Sequence, residues 1–189
     1  MASENTIYIK NMVCNRCIMA VKNILDRQGL PYEKVDLGVV ILQQSLSKLE
    51  KEALKTNLEE YGFELLDDKR MQLVELIRVS VIELIHYSDN QKINLSEYLT
   101  RRCLHDYSFL SKLFSEITGT TLEKYYISQK IERAKELLVY DELTVSEIAY
   151  KLHYSSVAHF SAQFRAITGF TPTKFKQLKE RKLQSLDKI

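Results

Sequence analysis

Apolar and polar positions change period several times along this chain, and each change marks an element. Thr6–Lys10 alternates polar and apolar, the period of a strand. Cys17–Leu30 switches to helical spacing, with Ile18, Val21, Ile24 and Leu25 on one face and Gly29 where a helix would stop. Tyr32–Leu37 and Val39–Gln43 return to strand patterning around Gly38, which predicts a hairpin. Ser47–Tyr61 spaces Leu49, Ala53, Leu54, Leu58 and Tyr61 helically, and after Gly62 the stretch Phe63–Leu66 is a last short strand. The predicted order is βαββαβ, a ferredoxin-like α+β domain over residues 1–68.

A charged seam, Asp67-Asp68-Lys69-Arg70, follows. From Met71 to His86 the apolar residues are too dense for one stripe, so this helix is expected to be buried on more than one side. Its plain reading is a core helix; the sharper one is a dimerisation or signal-transmitting helix. It connects the two parts over residues 69–90 and merges into an all-α domain over residues 80–182. Helix starts there are marked by Asn94-Leu-Ser-Glu97, Thr120-Thr-Leu-Glu123 and Thr144-Val-Ser-Glu147, each with a capping residue three before Glu. Asp106 and Ser156 stand as further N-caps, and Thr171-Pro172 sets a hydroxyl before Pro at a first helical position. Leu122–Tyr140 reads as one uninterrupted helix, whose Tyr125, Tyr126 and Tyr140 are expected in the core.

The helical part repeats itself at an offset of fifty residues. NLSEYLTRRCLHDYSFLSKLF at Asn94–Phe114 is matched by TVSEIAYKLHYSSVAHFSAQF at Thr144–Phe164, and Ile-Thr-Gly follows each at 117–119 and 167–169. Two copies are too few for a solenoid. Each reads as helix, short turn, helix: Leu95–Arg102 then Asp106–Ile117, and Val145–Leu152 then Ser156–Ile167. That is the shape of a pair of DNA-reading heads. Leu110, Leu113, Phe114 and Ile117 are expected to face inward, as are Phe160, Phe164 and Ile167. The opposite faces then hold Ser108, Ser111 and Lys112 in one head and Ala158, His159, Ser161 and Ala162 in the other.

Charge supports this division. Residues 1–68 hold 8 Lys and Arg against 11 Asp and Glu, a net of −3, while residues 69–189 hold 19 against 14, a net of +5. A mildly basic second part suits a nucleic-acid partner, although affinity must come from more than charge. No apolar run approaches the roughly 18–20 residues that span a bilayer, so no membrane partner is expected. MASENTIYIK has no signal-peptide pattern, so the cytoplasm is the expected location, with the three cysteines expected to be reduced.

KLFSEITGTTLEKYYISQKIERAKELL followed by TVSEIAYKLHYSSVAHFSAQFRAITGFTPTKFKQLK resembles the C-terminal domain of AraC/XylS-family transcription regulators. The resemblance covers residues 80–180. It implies seven helices in two helix-turn-helix units, with the second helix of each in adjacent major grooves whose centres lie about 34 Å apart. It places base contacts at Ser108, Ser111, Lys112, Ala158, His159, Ser161 and Ala162. Lys112 can donate to guanine O6 and N7, and Ser and His can bond base edges or phosphates. Arg165, Lys174 and Lys130 are candidate phosphate clamps. The family usually carries Gly in the turn and Arg in the linking helix; here Cys103 and His153 stand in the turns and Lys130 in the helix. His159 suits a nucleic-acid role as well as a structural one. His86 reads as a helix-end surface residue and Cys103 as a packed thiol.

Met12-Val13-Cys14-Asn15-Arg16-Cys17 sits between a strand and an amphipathic helix. With the βαββαβ order and Tyr61-Gly62-Phe63, it resembles the heavy-metal-associated domain of copper chaperones and metal-transporting ATPases, over residues 5–67. That resemblance implies a soft monovalent ion, Cu(I), held one per monomer by Cys14 and Cys17, with Met12 a buried prop and the Gly-aromatic loop beside the site. Thiolates select Cu(I), and Zn²⁺ prefers four ligands where residues 1–68 hold no histidine. Two alternatives remain: a motif kept as a relic, or a dithiol that cycles with its disulfide. The expected function is a DNA-binding, metal-responsive transcription regulator and not an enzyme; the alternative is a thiol redox sensor or metal carrier with a DNA-binding tail. The helical domain needs no cofactor. Double-stranded DNA is the expected partner, with RNA polymerase and a second copy of the chain as further candidates.

Overall fold

The computed structural model describes residues 5–87, 94–140 and 142–183, with side chains to residue 178; residues 1–4 and 88–90 of the expected segments lie outside it. The first part runs β1 (Thr6–Lys10), α1 (Asn15–Arg27), β2 (Tyr32–Asp36), β3 (Val39–Leu42), α2 (Lys48–Glu59) and β4 (Glu64–Leu66). The strands form one antiparallel sheet in the order β2-β3-β1-β4, with Tyr8 opposite Val39 and Ile9 opposite Leu65. Pleating turns Ile9, Val35, Val40, Leu42 and Leu65 inward, where they meet Val21, Ile24 and Leu25 of α1 and Leu54 and Leu58 of α2. Of the apolar positions expected along α2, Leu49 and Ala53 are exposed, whereas Leu54 and Leu58 are buried. Ser47 caps this helix reciprocally with Glu50.

Helix α1 starts at Asn15, two residues before the expected start. Cys14 is its extended N-cap, and its carbonyl accepts from Cys17 N at 2.9 Å. The charged seam is no free linker. Asp68 Oδ1 accepts from Met71 N at 2.9 Å, and only two residues separate the end of β4 from the start of α3 (Lys69–His86). Buried residues lie all round α3, among them Val74, Glu75, Ile77, Val79, Ser80 and Val81. His86, expected at the surface, is half-buried, 3.8 Å from Glu136, and burial holds its imidazole below the ordinary value.

The remaining helices are α4 (Leu95–Cys103), α5 (Tyr107–Thr118), α6 (Leu122–Tyr140), α7 (Val145–Lys151), α8 (Val157–Thr168) and α9 (Pro172–Leu183). Thr144 and Glu147 close the expected capping box of α7. At α6 the cap is Thr121 rather than Thr120, accepting from Lys124 N at 3.2 Å. Two compact units result. One joins residues up to Ile82 with Leu95–Gly119; the other joins Glu83–Asn94 with the chain from Thr120 onward. This division differs from the expected boundary, because it passes between the two repeats and leaves the first with the sheet. In the second unit Ile131, Ala134, Leu137 and Leu138 of α6 pack with Ile148, Ala149, Phe160 and Phe164. Tyr140, expected in that core, is 69 % exposed at the end of α6. Among the described residues no helix is long and apolar enough to cross a membrane.

Candidate nucleic-acid interface and cysteine site

The first head is α4, a turn and α5. Leu99, Cys103, Leu110, Leu113 and Phe114 are buried, which leaves the other face of α5 outward. Ser108 and Lys112 are exposed there and Ser111 is half-buried, at the i, i+3, i+4 spacing that makes one helical face. Phe109 adds to that face; it is half exposed and lies 5.1 Å from the ring of His105. It was detectable in the sequence only as an apolar residue out of step with Leu110, Leu113 and Phe114. Ile117, expected inward, is 37 % exposed in the last turn of α5, just before Gly119 ends the helix in the left-handed conformation. Asp106 takes the N-cap position without a side-chain bond to the helix.

The turn itself departs from expectation. The residue with positive φ is Leu104, at 56°, and not Cys103, which closes α4. Cys103 is buried, and burial pushes its thiol up to about 11. That leaves it a packed thiol.

The second head, α7, turn and α8, keeps its positive φ at His153, 55°. Ser156 Oγ caps α8 through His159 N at 3.1 Å. Ala158, His159, Ala162 and Arg165 are exposed, and Ser161 is half-buried. Ile167 is 48 % exposed, in the same place on α8 as Ile117 on α5. Two residues not foreseen position His159: Ser155 Oγ lies 3.3 Å from its Nδ1, and Tyr154 meets its ring edge-on at 5.5 Å. Tyr154 is itself held, its hydroxyl donating to Gln163 Oε1 at 2.7 Å. Lys174 is exposed after the Thr171 cap of α9, its ammonium 5.6 Å from the Phe170 ring.

Lys130 needs correction as a phosphate clamp. It is only 8 % exposed, and its ammonium lies 3.8 Å from the centroid of Tyr154 and 5.4 Å from that of Tyr126. Burial lowers its pKa to about 8, while the two aromatic faces favour the cation. Its side chain supports the floor of the second head instead of reaching outward.

At the end of β1 the two cysteines come together, with Cys14 Sγ and Cys17 Sγ 3.5 Å apart. The backbone N–H of Cys17 is the first cause that holds the Cys14 thiol below its ordinary value; the Cys17 side chain and Arg16 assist. Among the described residues no third His, Cys, Asp or Glu completes a cluster. Two soft donors alone suit a monovalent thiophilic ion and leave Zn²⁺ two ligands short. Met12 beneath the loop is fully buried, whereas Val13 and Tyr61 are half exposed.

Asn11, which the sequence did not single out, ties the loop down. It adopts φ 73°, a left-handed conformation that Asn tolerates. Its side-chain amide donates to Gly62 O at 2.9 Å, its backbone N–H to Glu75 Oε1 at 3.2 Å, and its carbonyl lies 3.9 Å from the Cys17 Sγ–H donor. Glu75 is 6 % exposed; burial raises its pKa, against the Asn11 N–H and the charges of Arg78 and Lys10.

Residues 99–178 match a family described as a helix-turn-helix domain. The chain is 29 % identical over 100 residues to an uncharacterized HTH-type transcriptional regulator, YtdP, of Bacillus subtilis (strain 168), covering 53 % of this chain and 13 % of that protein. It is 33 % identical over 110 residues to another, SAS0078, of Staphylococcus aureus (strain MSSA476), covering 58 % and 14 %. The chain thus spans about one seventh of the length of these relatives. Among solved structures, the C-terminal domain of AraT, a response regulator from Geobacillus stearothermophilus, is similar in fold: TM-score 0.50 at 22 % identity, over 59 % of this chain and 88 % of that one. The helical part therefore has the fold of that regulator's C-terminal domain.

Proposed function

We propose that this chain, with a helix-turn-helix domain at residues 99–178, is a sequence-specific DNA-binding transcription regulator that responds to Cu(I) through Cys14 and Cys17. The observation that carries the DNA reading is the doubled head. Each copy presents a helix whose buried face is apolar and whose outer face holds short polar groups and a cation, Lys112 in one and Arg165 in the other. Lys112 and the adjacent serines would read base edges, and Arg165 and Lys174 would meet phosphates. The metal reading rests on the 3.5 Å pair of thiols at a helix N-terminus with no third ligand among the described residues. The order β1α1β2β3α2β4, with the sheet order β2-β3-β1-β4, supports the ferredoxin-like, heavy-metal-associated interpretation of that part. A bound Cu(I) supplies no chemistry beyond charge and thiolate ligation; the residues that would hold it are Cys14 and Cys17. The same thiols are near enough to form a disulfide after modest movement, which keeps redox sensing as the second reading.

The test uses the full chain. A duplex selected from random sequence should be protected over two successive major grooves, with affinity that falls steeply as salt rises. Lys112→Ala should cost about 1–3 kcal/mol and relax preference at one base pair, whereas Arg165→Ala and Lys174→Ala should weaken all sequences alike. Absence of any footprint at low salt refutes the DNA reading. Cu(I) titration of the same protein should show one ion per chain, lost in Cys14→Ser. Unchanged DNA affinity with Cu(I) bound would leave a metal site without a sensor.

A further inference from the structure

Helix α3 turns two faces to two neighbours within the first compact unit. One face carries Glu75 and Val79 and lies on the cysteine end of the sheet. Glu75 accepts from Asn11 N, and Val79 sits so near the β2–β3 turn that a β-carbon on Gly38 would be 2.9 Å from it. Arg70 and Arg78, the latter on the flank beside Glu75, meet the first head. Arg70 pairs with Glu116 at 2.7 Å, and the Arg78 guanidinium lies 5.9 Å from the Phe114 ring centroid. Phe114 is the fully buried anchor of α5, the helix whose outer face holds Lys112.

We propose that the Asn11–Glu75 hydrogen bond is the relay between the cysteine loop and the first DNA-reading head, with Glu75 its positioning residue. The proposal rests on the metal-responsive reading above. Three polar atoms of Asn11 are engaged, one with Cys17, one with the Gly62 turn between α2 and β4, and one with Glu75 on α3. Ligation of Cys17 replaces its S–H by a metal–sulfur bond, with the proton going to solvent, and so withdraws the donor facing the Asn11 carbonyl. The Asn11 peptide then settles against a changed neighbour, in a left-handed conformation with little freedom to adjust. Its amide hydrogen points at a carboxylate rooted in a packed helix, and Glu75 is too buried for water to substitute for the lost geometry. A shift of Glu75 moves α3, and Arg78 is three residues on, one turn along the same rod. Coupling of this kind needs an element that both sites bias, and α3 touches both.

The experiment compares wild type, Glu75→Gln and Glu75→Leu as full chains, measuring Cu(I) uptake against a chromophoric chelator and DNA affinity by anisotropy with and without Cu(I). Glu75→Gln keeps an acceptor for Asn11 N–H, and Glu75→Leu removes it. The expected result is equal Cu(I) uptake in all three, a Cu(I)-dependent change in DNA affinity in wild type and Glu75→Gln, and loss of that change in Glu75→Leu. An unaltered response in Glu75→Leu overturns the relay and leaves the sensor standing. A wild type that binds Cu(I) without any change in DNA affinity overturns sensor and relay together. Hydrogen exchange on wild type provides a measurement that needs no variant. Cu(I) should change the protection of the Asn11 amide and of residues 75–79, and unchanged protection at both refutes the relay even if Glu75→Leu does not fold.

Discussion

Leu104 shows how a single residue can depart from a repeat. Its φ of 56° crowds a β-carbon, and its side chain is 83 % exposed, so packing offsets none of the strain. Leu104→Gly removes a strain of about 1–2 kcal/mol and adds about 0.5–1 kcal/mol of unfolded-chain entropy. The first unit should therefore gain roughly 0.5–1 kcal/mol in denaturant unfolding; a loss would mean that this turn is not left-handed. The fifty-residue register had pointed at Cys103, because an offset of fifty says nothing about where one helix runs two residues longer than its copy. Lys130 was misplaced for a related reason: a lysine looks the same in sequence whether its ammonium meets solvent or an aromatic ring. With its pKa lowered to about 8 by burial, the folded state disfavours its proton. Below pH 8 the cost of burying the cation is fully present. Between pH 8 and 10.5 the unfolded chain still binds the proton that the folded chain has released, so stability rises with pH across that window. Burial alone would cost about 3 kcal/mol, and the aromatic faces offset about 1–2 of it. Lys130→Met should accordingly raise the unfolding free energy at pH 7 by about 1–2 kcal/mol and flatten the rise, in urea titrations at pH 7 and 9.5. The salt dependence of DNA binding should be unchanged, and a slope reduced by one charge would restore the phosphate contact.

At the scale of elements, the apolar pattern was a reliable guide to existence and face, and weaker at ends. Phe114 and Phe164 are both fully buried, fifty residues apart, as the repeat required. Phe114→Ala and Phe164→Ala should each cost about 3–5 kcal/mol, since the first leaves a hole under α5 and the second one within the aromatic chain Phe160–Phe164–Phe175. Thermal melts of the full chain should show each loss, and a melt unmoved by either substitution would place these helices on the wrong face. Ile117 and Ile167 continue the same stripes and are nevertheless exposed, because burial ends where neighbouring elements end and a stripe carries no record of its neighbours' lengths. Caps were legible where a hydroxyl and a glutamate close a reciprocal pair, as at Ser47 and Thr144. At α6 two adjacent threonines offered the choice, and only the backbone conformation decided for Thr121.

For the whole molecule, sequence alone determined that a sheet-bearing stretch is followed by a helical stretch that repeats itself. It also determined the order of elements and most of the faces that become core. These follow from period, spacing and composition, which are local properties of the chain. Tertiary structure decided which local features meet. It put the first head in one compact unit with the sheet, buried Lys130 beneath Tyr154, set Tyr154 and Ser155 around His159, and hung the cysteine loop on Asn11 and Glu75. Asn11 and Glu75 are 64 positions apart, and one polar residue in a loop and one acid in a dense apolar helix have no periodic signature to pair them. Such contacts exist only once the helix has been docked, because a buried carboxylate must find its donor wherever the packing leaves one.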